Sequence, residues 1–289
     1  FPAPDNKTWD DAIRYARAFA TRFKGDPLIT PALAPHAPFT VSKEHLQQVR
    51  RLATELGVPI LIHVSETEDE VRQIEEKQGM RPVEYLDAIG FLGDDVLAAH
   101  TVHLSLAEIR ILASRRVGSA HNPESNMMLA SGIAPVKDLL EEGVDVGLGT
   151  DGPAGSNNDL DMISEMASAA RLQKVHREDP RALTARQALE MATIRGARAL
   201  GLASRIGSLE AGKRADLIVI DLSGAGTQPV YSAESAIVYA TSGEMVTDTI
   251  VDGRILMRDR KLLTVDENAA VAKAREYRDR VLLSLGERR

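Results

Sequence analysis

Five times in succession, a short apolar run ends at a polar, metal-capable side chain and gives way to a helical pattern. Residues 28–33 lead to His36, residues 58–66 carry His63 and Glu66, residues 96–99 lead to His100, residues 117–120 lead to His121, and residues 144–148 lead to Asp151. A strand, a crossover helix and another strand can pair only in parallel, because the helix returns the chain to the end where it started. Side chains at equivalent strand ends then share one rim, which is where alternating strand–helix architectures carry their chemistry. Each of these residues alone reads equally well as a capping histidine or an ordinary loop; Asp-Gly at 151–152 is a common turn former. Their regular recurrence is what points to a site.

The intervening segments support the alternation. Residues 9–23 place Ala12, Ile13, Tyr15, Ala16 and Phe19 at helical spacing. Ser42 reads as an N-cap for a helix carrying Val49, Leu52 and Leu56, and Ser105 with Glu108 reads as a capping box. Residues 68–78 read as a charged helix, a second begins at 81 and stops at Gly90, and residues 136–142 form another that Gly143 ends. Two longer helices are expected over 159–175 and 184–200. After Ile206 the character shifts: apolar runs at 216–222, 236–239, 246–251 and 255–257, separated by Gly and Asp turns, predict a small β layer, with a last helix over 265–285. The chain therefore divides into residues 1–205 and 206–289.

Composition narrows the chemistry. Cysteine is absent, so a metal would be held by nitrogen and oxygen alone. A net charge of −7 argues against a general nucleic-acid surface, and no apolar run is long enough to span a bilayer. No basic segment followed by an apolar stretch opens the sequence, so a cytoplasmic protein is expected. Among the strand-end residues, His63 suits a metal ligand, and Glu66 can reach the same rim as a proton carrier. Asp151 can bind a metal or take a proton from water, and His100 can steady the resulting hydroxide. His103 follows the same strand three residues beyond His100 and reads as a peripheral residue, while His45 and His176 sit in helical patterns and are expected to be solvated.

The stretches LIHVSETEDEV, LAAHTVHL, SAHNPESNMMLASGIAPV, GLGTDGPAGSNNDLDM and IGSLEAGKRADLIVID together resemble the amidohydrolase superfamily. Within it they resemble the branch of 5'-methylthioadenosine/S-adenosylhomocysteine deaminases and triazine chlorohydrolases. The resemblance implies an α/β fold, a (β/α)8 TIM-like barrel of which strands four to eight are present, with a small β-sandwich domain toward the C-terminus. It implies His63 and Asp151 as metal ligands and Glu66, His100 and Asp151 as catalytic residues. His36 and Glu66 would contact substrate, and His121 would shape the pocket. The implied cofactor is Zn2+, with Fe2+ or Mn2+ suited to the same donors. The implied reaction is attack of metal-bound hydroxide on C6 of an adenosine derivative with loss of ammonia. A related chlorohydrolase, guanine deaminase or cytosine deaminase is the alternative. The implied partner is a small nucleoside, with no nucleic acid or membrane and with a homo-oligomer as a family expectation.

One departure stands out. The family takes two further ligands from a His-x-His motif at the end of strand one, and no His-x-His occurs here. The sequence is therefore expected to correspond to the C-terminal part of a larger enzyme that has on the order of 150 further residues, about three strand–helix units and part of the sandwich. On this reading the chain alone does not turn over substrate, and an inactive fragment is a further alternative.

Overall fold

A computed structural model describes residues 6–286. Its organising element is a four-stranded parallel sheet in the order β1 (Ile60–Val64), β2 (Val96–His100), β3 (Gly118–His121), β4 (Val146–Leu148). Sequence neighbours pair side by side, as expected when each strand is followed by a crossover. Helices α1 (Trp9–Arg22) and α2 (Lys43–Leu56) precede β1. Then α3 (Glu68–Gln78) and α4 (Pro82–Ala88) follow β1, α5 (Leu106–Arg115) follows β2, and α6 (Pro123–Met128) and α7 (Val136–Glu141) follow β3. After β4 come α8 (Met162–Arg177), α9 (Ala185–Met191) and α10 (Ile194–Ala199). Caps predicted from sequence are in place: Ser42 accepts from His45 N, and Ser105 and Glu108 form a reciprocal capping box.

Strand residues alternate between two environments. Ile60, Ile62, Val64, Val96 and Ala98 are buried in one cluster with Leu46, Val49 and Leu52 of α2, Ile74 of α3, Ile109 and Leu112 of α5, and Leu139 of α7. The opposite face carries Leu61, His63, Leu97 and Ala99, which are half-buried. Parallel register places Leu97 beside Gly118, and Ala99 beside Ala120, which pairs in turn with Gly147. That face is approached by α10. A Cβ on Gly118 would lie 2.3 Å from the Ala199 carbonyl oxygen, and one on Gly147 would lie 2.8 Å from Gly196 Cα.

Four expectations are corrected. The fifth parallel strand, predicted over 28–33, reduces to one bridge between Leu33 and Ile60. Pro27, Pro31 and Pro35 remove donors a ladder needs, so the segment runs beside β1 with few bonds, including Leu61 N to Leu33 O and His63 N to His36 O. The helix predicted from 159 starts at Met162, because Asp161 accepts from Ile163 N and caps it there. The helix predicted over 184–200 breaks into α9 and α10 at Thr193, whose φ of −131° and ψ of −103° turn α10 toward the sheet. The apolar run 236–239 is part of a helix, α11 (Ala233–Ala240), rather than a strand. A four-residue apolar run does not distinguish the two states. Ser232, accepting from Ser235 N, caps the helix and decides it.

Residues beyond α10 form a four-stranded antiparallel sheet, β5 (Leu217–Ile220), β6 (Val246–Val251), β7 (Arg254–Arg258) and β8 (Lys261–Leu262), in that order. It is tied to the parallel part by Gly243 N donating to Asp161 Oδ2 at 2.8 Å. A last helix, α12 (Glu267–Ser284), follows, and no helix among the described residues is long and apolar enough to cross a membrane.

The contact between α10 and the sheet generates a test. Gly118→Ala forces a methyl group against backbone that cannot rotate away, and is expected to cost roughly 1–3 kcal/mol. Gly224→Ala, with nothing within 4 Å of the added carbon, is expected to leave stability unchanged or raise it by under about 1 kcal/mol. Denaturant midpoints of the two variants check this, and equal effects would contradict the close approach.

Candidate active site at the strand ends

The chain reverses abruptly where β1, β2 and β4 end, and the backbone shows it. Ser65, His100, Thr101 and Asp151 adopt φ of 53°, 70°, 48° and 61°, a left-handed conformation that side-chain-bearing residues adopt at a cost. For His100 this matters directly. Register puts it opposite Val64, on the helix-facing side, and the reversal brings its imidazole round to the rim. The ring centroids of His63 and His100 are 5.3 Å apart, and those of His36 and His63 are 5.0 Å apart.

Hydrogen bonds decide which nitrogen each ring offers. His63 Nδ1 lies 2.6 Å from the His36 carbonyl oxygen, which can only accept, so Nδ1 carries the proton and Nε2 keeps its lone pair. His100 Nδ1 lies 2.9 Å from Asn126 Oδ1, and with that oxygen as acceptor Nε2 is likewise the free nitrogen. His100 Nε2 faces two carboxylates at once, Glu66 Oε2 at 3.7 Å and Asp151 Oδ2 at 3.8 Å. Both gaps exceed a direct hydrogen bond and suit a shared small group between the three side chains.

The carboxylates are held from behind. Ser131 Oγ donates to Glu66 Oε1 at 2.9 Å, and the Glu66 backbone N–H donates to Glu70 Oε2 at 3.1 Å. Ser125 Oγ donates to Asp151 Oδ2 at 2.8 Å, and Gly152 N donates to Asp151 Oδ1 at 2.7 Å. Burial opposes ionisation of Asp151. The hydrogen bonds from Ser125 and Gly152, with the nearby imidazoles of His100 and His63, outweigh it and leave the carboxyl below its usual range. Burial pushes Glu70 up to about 7, reinforced by the charges of Glu66 and Asp69. His36 is exposed at the side of the site, with Nδ1 2.8 Å from Thr40 Oγ1. Desolvation and the neighbouring His63 lower its pKa.

The structure therefore brings Glu66, His63, His100 and Asp151 to one rim, with His36 at its edge. His121 is not among them. By register it pairs with Leu148 and alternates onto the helix-facing side, where it is 1% exposed and neither ring nitrogen has a protein partner among the described residues. Burial, then the nearby His100, pushes it down to about 3. It serves as a neutral core group, not as a residue of the rim. His103 is peripheral, as expected, with Nε2 2.6 Å from the Ser131 carbonyl oxygen. His176 is exposed, whereas His45 stacks on Trp9 with centroids 4.0 Å apart and is only half-solvated.

Sequence reasoning missed the supporting residues. Ser125, Asn126 and Ser131 lie in one stretch of the sequence, and each grips a different member of the rim: Asp151, His100 and Glu66 respectively. The stretch SAHNPESNMMLASGIAPV is among those that carry the family resemblance, but no role is read for these three residues within it.

Metal binding is a separate question. The donor chemistry, neutral imidazole nitrogens and a carboxylate, suits a zinc-like ion. The donor number does not: among the described residues no group of three His, Asp or Glu side chains could hold a metal ion. The residues present supply part of a metal site.

Comparison with known proteins follows the same line. The model of the amidohydrolase family matches residues 4–256. A 5'-deoxyadenosine deaminase from Methanobrevibacter smithii is 52% identical over 252 residues, covering 87% of this chain and 58% of that protein. A 5-methylthioadenosine/S-adenosylhomocysteine deaminase from Syntrophobacter fumaroxidans is 45% identical, covering 95% of this chain and 63% of that protein. The crystal structure of an adenosine deaminase from Xanthomonas campestris with bound zinc superimposes with a TM-score of 0.95 at 42% identity, over 97% of this chain and 64% of that one. The chain thus spans about three fifths of the length of these relatives. With the family model matched over most of its length and the parallel strand ends carrying its polar rim, the chain belongs to the amidohydrolase family.

Proposed function

We propose that this protein is a hydrolytic deaminase of adenosine derivatives such as 5'-methylthioadenosine, S-adenosylhomocysteine or 5'-deoxyadenosine. The observation that carries this reading is the convergence of Glu66 and Asp151 on the single free nitrogen of His100, 3.7 and 3.8 Å away. Deamination at C6 of a purine needs a proton delivered to a ring nitrogen, a water held at the carbon, and a base to take that water's proton. Glu66, fixed by Ser131, supplies the ring proton, and His100 Nε2 holds the water. Asp151, kept ionised by Ser125 and Gly152, takes the water proton and passes it to the leaving amine. As the C6–N bond breaks and ammonia leaves, the new hydroxyl gives its remaining proton back to Glu66 and becomes the carbonyl, so the balance closes with an inosine derivative as product and both carboxyls restored. His36, exposed at the edge of the rim, is placed to contact the nucleoside.

Zinc is the ion we assign to the complete site, since the relative of known structure is described with bound zinc and the donors here are nitrogen and oxygen; iron or manganese would suit the same atoms. His63 Nε2 and Asp151 are the two ligands this chain would give. We also assign residues 1–205 to the barrel and 206–289 to a smaller domain, in which the antiparallel sheet is one layer of a β-sandwich. A cytoplasmic location and a homo-oligomer complete the proposal.

Two measurements test it. The pure chain, dialysed against zinc and then rinsed, is expected to retain well under one equivalent of metal and to release no ammonia, because two donors hold a divalent ion weakly. A chimera that adds the part of the Methanobrevibacter smithii relative not matched by this chain is expected to bind zinc and release ammonia from 5'-deoxyadenosine or methylthioadenosine. If the chimera folds and binds zinc yet leaves every adenosine derivative intact, the reading is wrong. In the active chimera, Glu66→Gln keeps an oxygen for the Ser131 hydroxyl but has no proton to give, and kcat is expected to fall about 10²–10⁴-fold. A loss under threefold would remove Glu66 from the chemistry.

A further inference from the structure

Buried beneath the rim is a carboxylate that the proposed chemistry does not use. Glu165, in the first turn of α8, is 0% exposed. Its two oxygens face different parts of the site. Oε2 accepts from the backbone N–H of Glu124 in α6 at 3.2 Å, and Oε1 accepts from Asn157 Nδ2 at 3.0 Å. Asn157, 4% exposed, passes the connection on: the same amide nitrogen donates to the Thr150 carbonyl at 2.9 Å, and its backbone N–H donates to the Gly152 carbonyl at 3.1 Å. A second link runs beside it, since Ser168 Oγ donates to Glu124 Oε1 at 2.8 Å and Ser164 donates to the same oxygen.

The two segments so gripped are the two that meet at Asp151. Ser125, next to Glu124, donates to the Asp151 carboxylate, and Asp151 lies between Thr150 and Gly152. Hydrogen bonds within the loop, such as Gly152 N to Asp151 Oδ1 and Ser156 Oγ to the Gly152 carbonyl, shape the turn but do not reach α6. The loop 149–158 contains three glycines, and Asp151 sits in a left-handed conformation at φ 61°. A backbone of that kind persists only where its surroundings over-determine it. An ionised or neutral carboxyl buried this deeply is costly unless it is fully used. Its pKa, raised to about 8 mainly by burial, records that cost.

We propose that Glu165 is a positioning residue for Asp151: from beneath the rim it fixes the start of α6 and the loop 150–158 in the one arrangement that lets Ser125 donate to the Asp151 carboxylate. Its effect on the reaction rests on the deaminase reading; the clamp itself does not. Glu165 touches no reacting atom.

Two arms test the proposal. In the 289-residue chain, hydrogen exchange is compared between the parent, Glu165→Ala, Glu165→Gln and Asn157→Ala. Glu165→Ala is expected to speed exchange by about tenfold or more over both 123–128 and 150–158 while β1 is unchanged. Asn157→Ala is expected to loosen 150–158 alone, and Glu165→Gln, whose amide can accept from only one of the two donors, to fall between. Unchanged exchange in both segments, or an equal rise in β1, overturns the clamp. If Glu165→Ala does not fold, the glutamine and Asn157 variants carry the same comparison.

In the zinc-loaded chimera, Glu165→Ala and Glu165→Gln are expected to lower kcat about tenfold or more with KM within twofold. Glu108→Gln is the control. It is another fully buried glutamate, bonded to Arg81, to Val83 N and to Ser105 at the cap of α5 and to none of His63, Glu66, His100 or Asp151, and its substitution is expected to lower stability and leave kcat unchanged. Equal kcat losses at 108 and 165, or no loss at 165, overturn the positioning role. If the unmutated chimera has no deaminase activity, only the functional reading fails, and the exchange measurements still decide the clamp.

Discussion

Everything at the rim depends on three hydrogen bonds that leave a single short stretch after β3. Ser125 fixes Asp151, Asn126 orients His100, and Ser131 fixes Glu66. These three targets end different strands or loops, so parallel pairing alone brings them near each other without setting their angles. A hydrogen bond of this kind contributes only about 1 kcal/mol net to stability, but it selects one rotamer from several. Preorganised side chains spend little further free energy on ordering when a reaction begins. The polar stretch is a jig more than a source of stability.

Much of this layout was legible in the sequence. The repeated apolar run with a polar terminus gave β1 to β4 and placed His63, Glu66, His100 and Asp151 at one end, because parallel strands of similar length share a rim. What failed had local causes. The 28–33 run looked apolar enough for a strand, but prolines at 27, 31 and 35 took away the donors, and only Leu33 pairs. His121 looked equivalent to its neighbours by position, yet the two-residue alternation of a strand turned it to the other side. His100 should have turned the same way and did not, since its left-handed backbone reverses the direction; no pattern of apolar residues encodes that reversal. The supporting serines and asparagines were invisible because a hydroxyl becomes informative only when its partner, dozens of residues away, is known.

The buried glutamates show how the same device recurs. Glu70 reaches back to the Glu66 backbone from the first turn of α3, and Glu165 reaches two segments from the first turn of α8. In each case a glutamate in the first turn of a helix accepts from backbone or side-chain donors in segments that carry the rim residues, Glu66 for α3 and the flanks of Asp151 for α8. Strand–helix repetition thus supplies rim residues from strand ends and their supports from helix beginnings.

The approach of α10 to the sheet has a geometric consequence. Gly118 and Gly147 lie on the same face as His63, and the α10 backbone is packed directly against them. That face is therefore covered at Gly118 and Gly147 by the chain's own backbone, and a side chain at either position would have to push α10 off the sheet on which the rim residues are mounted.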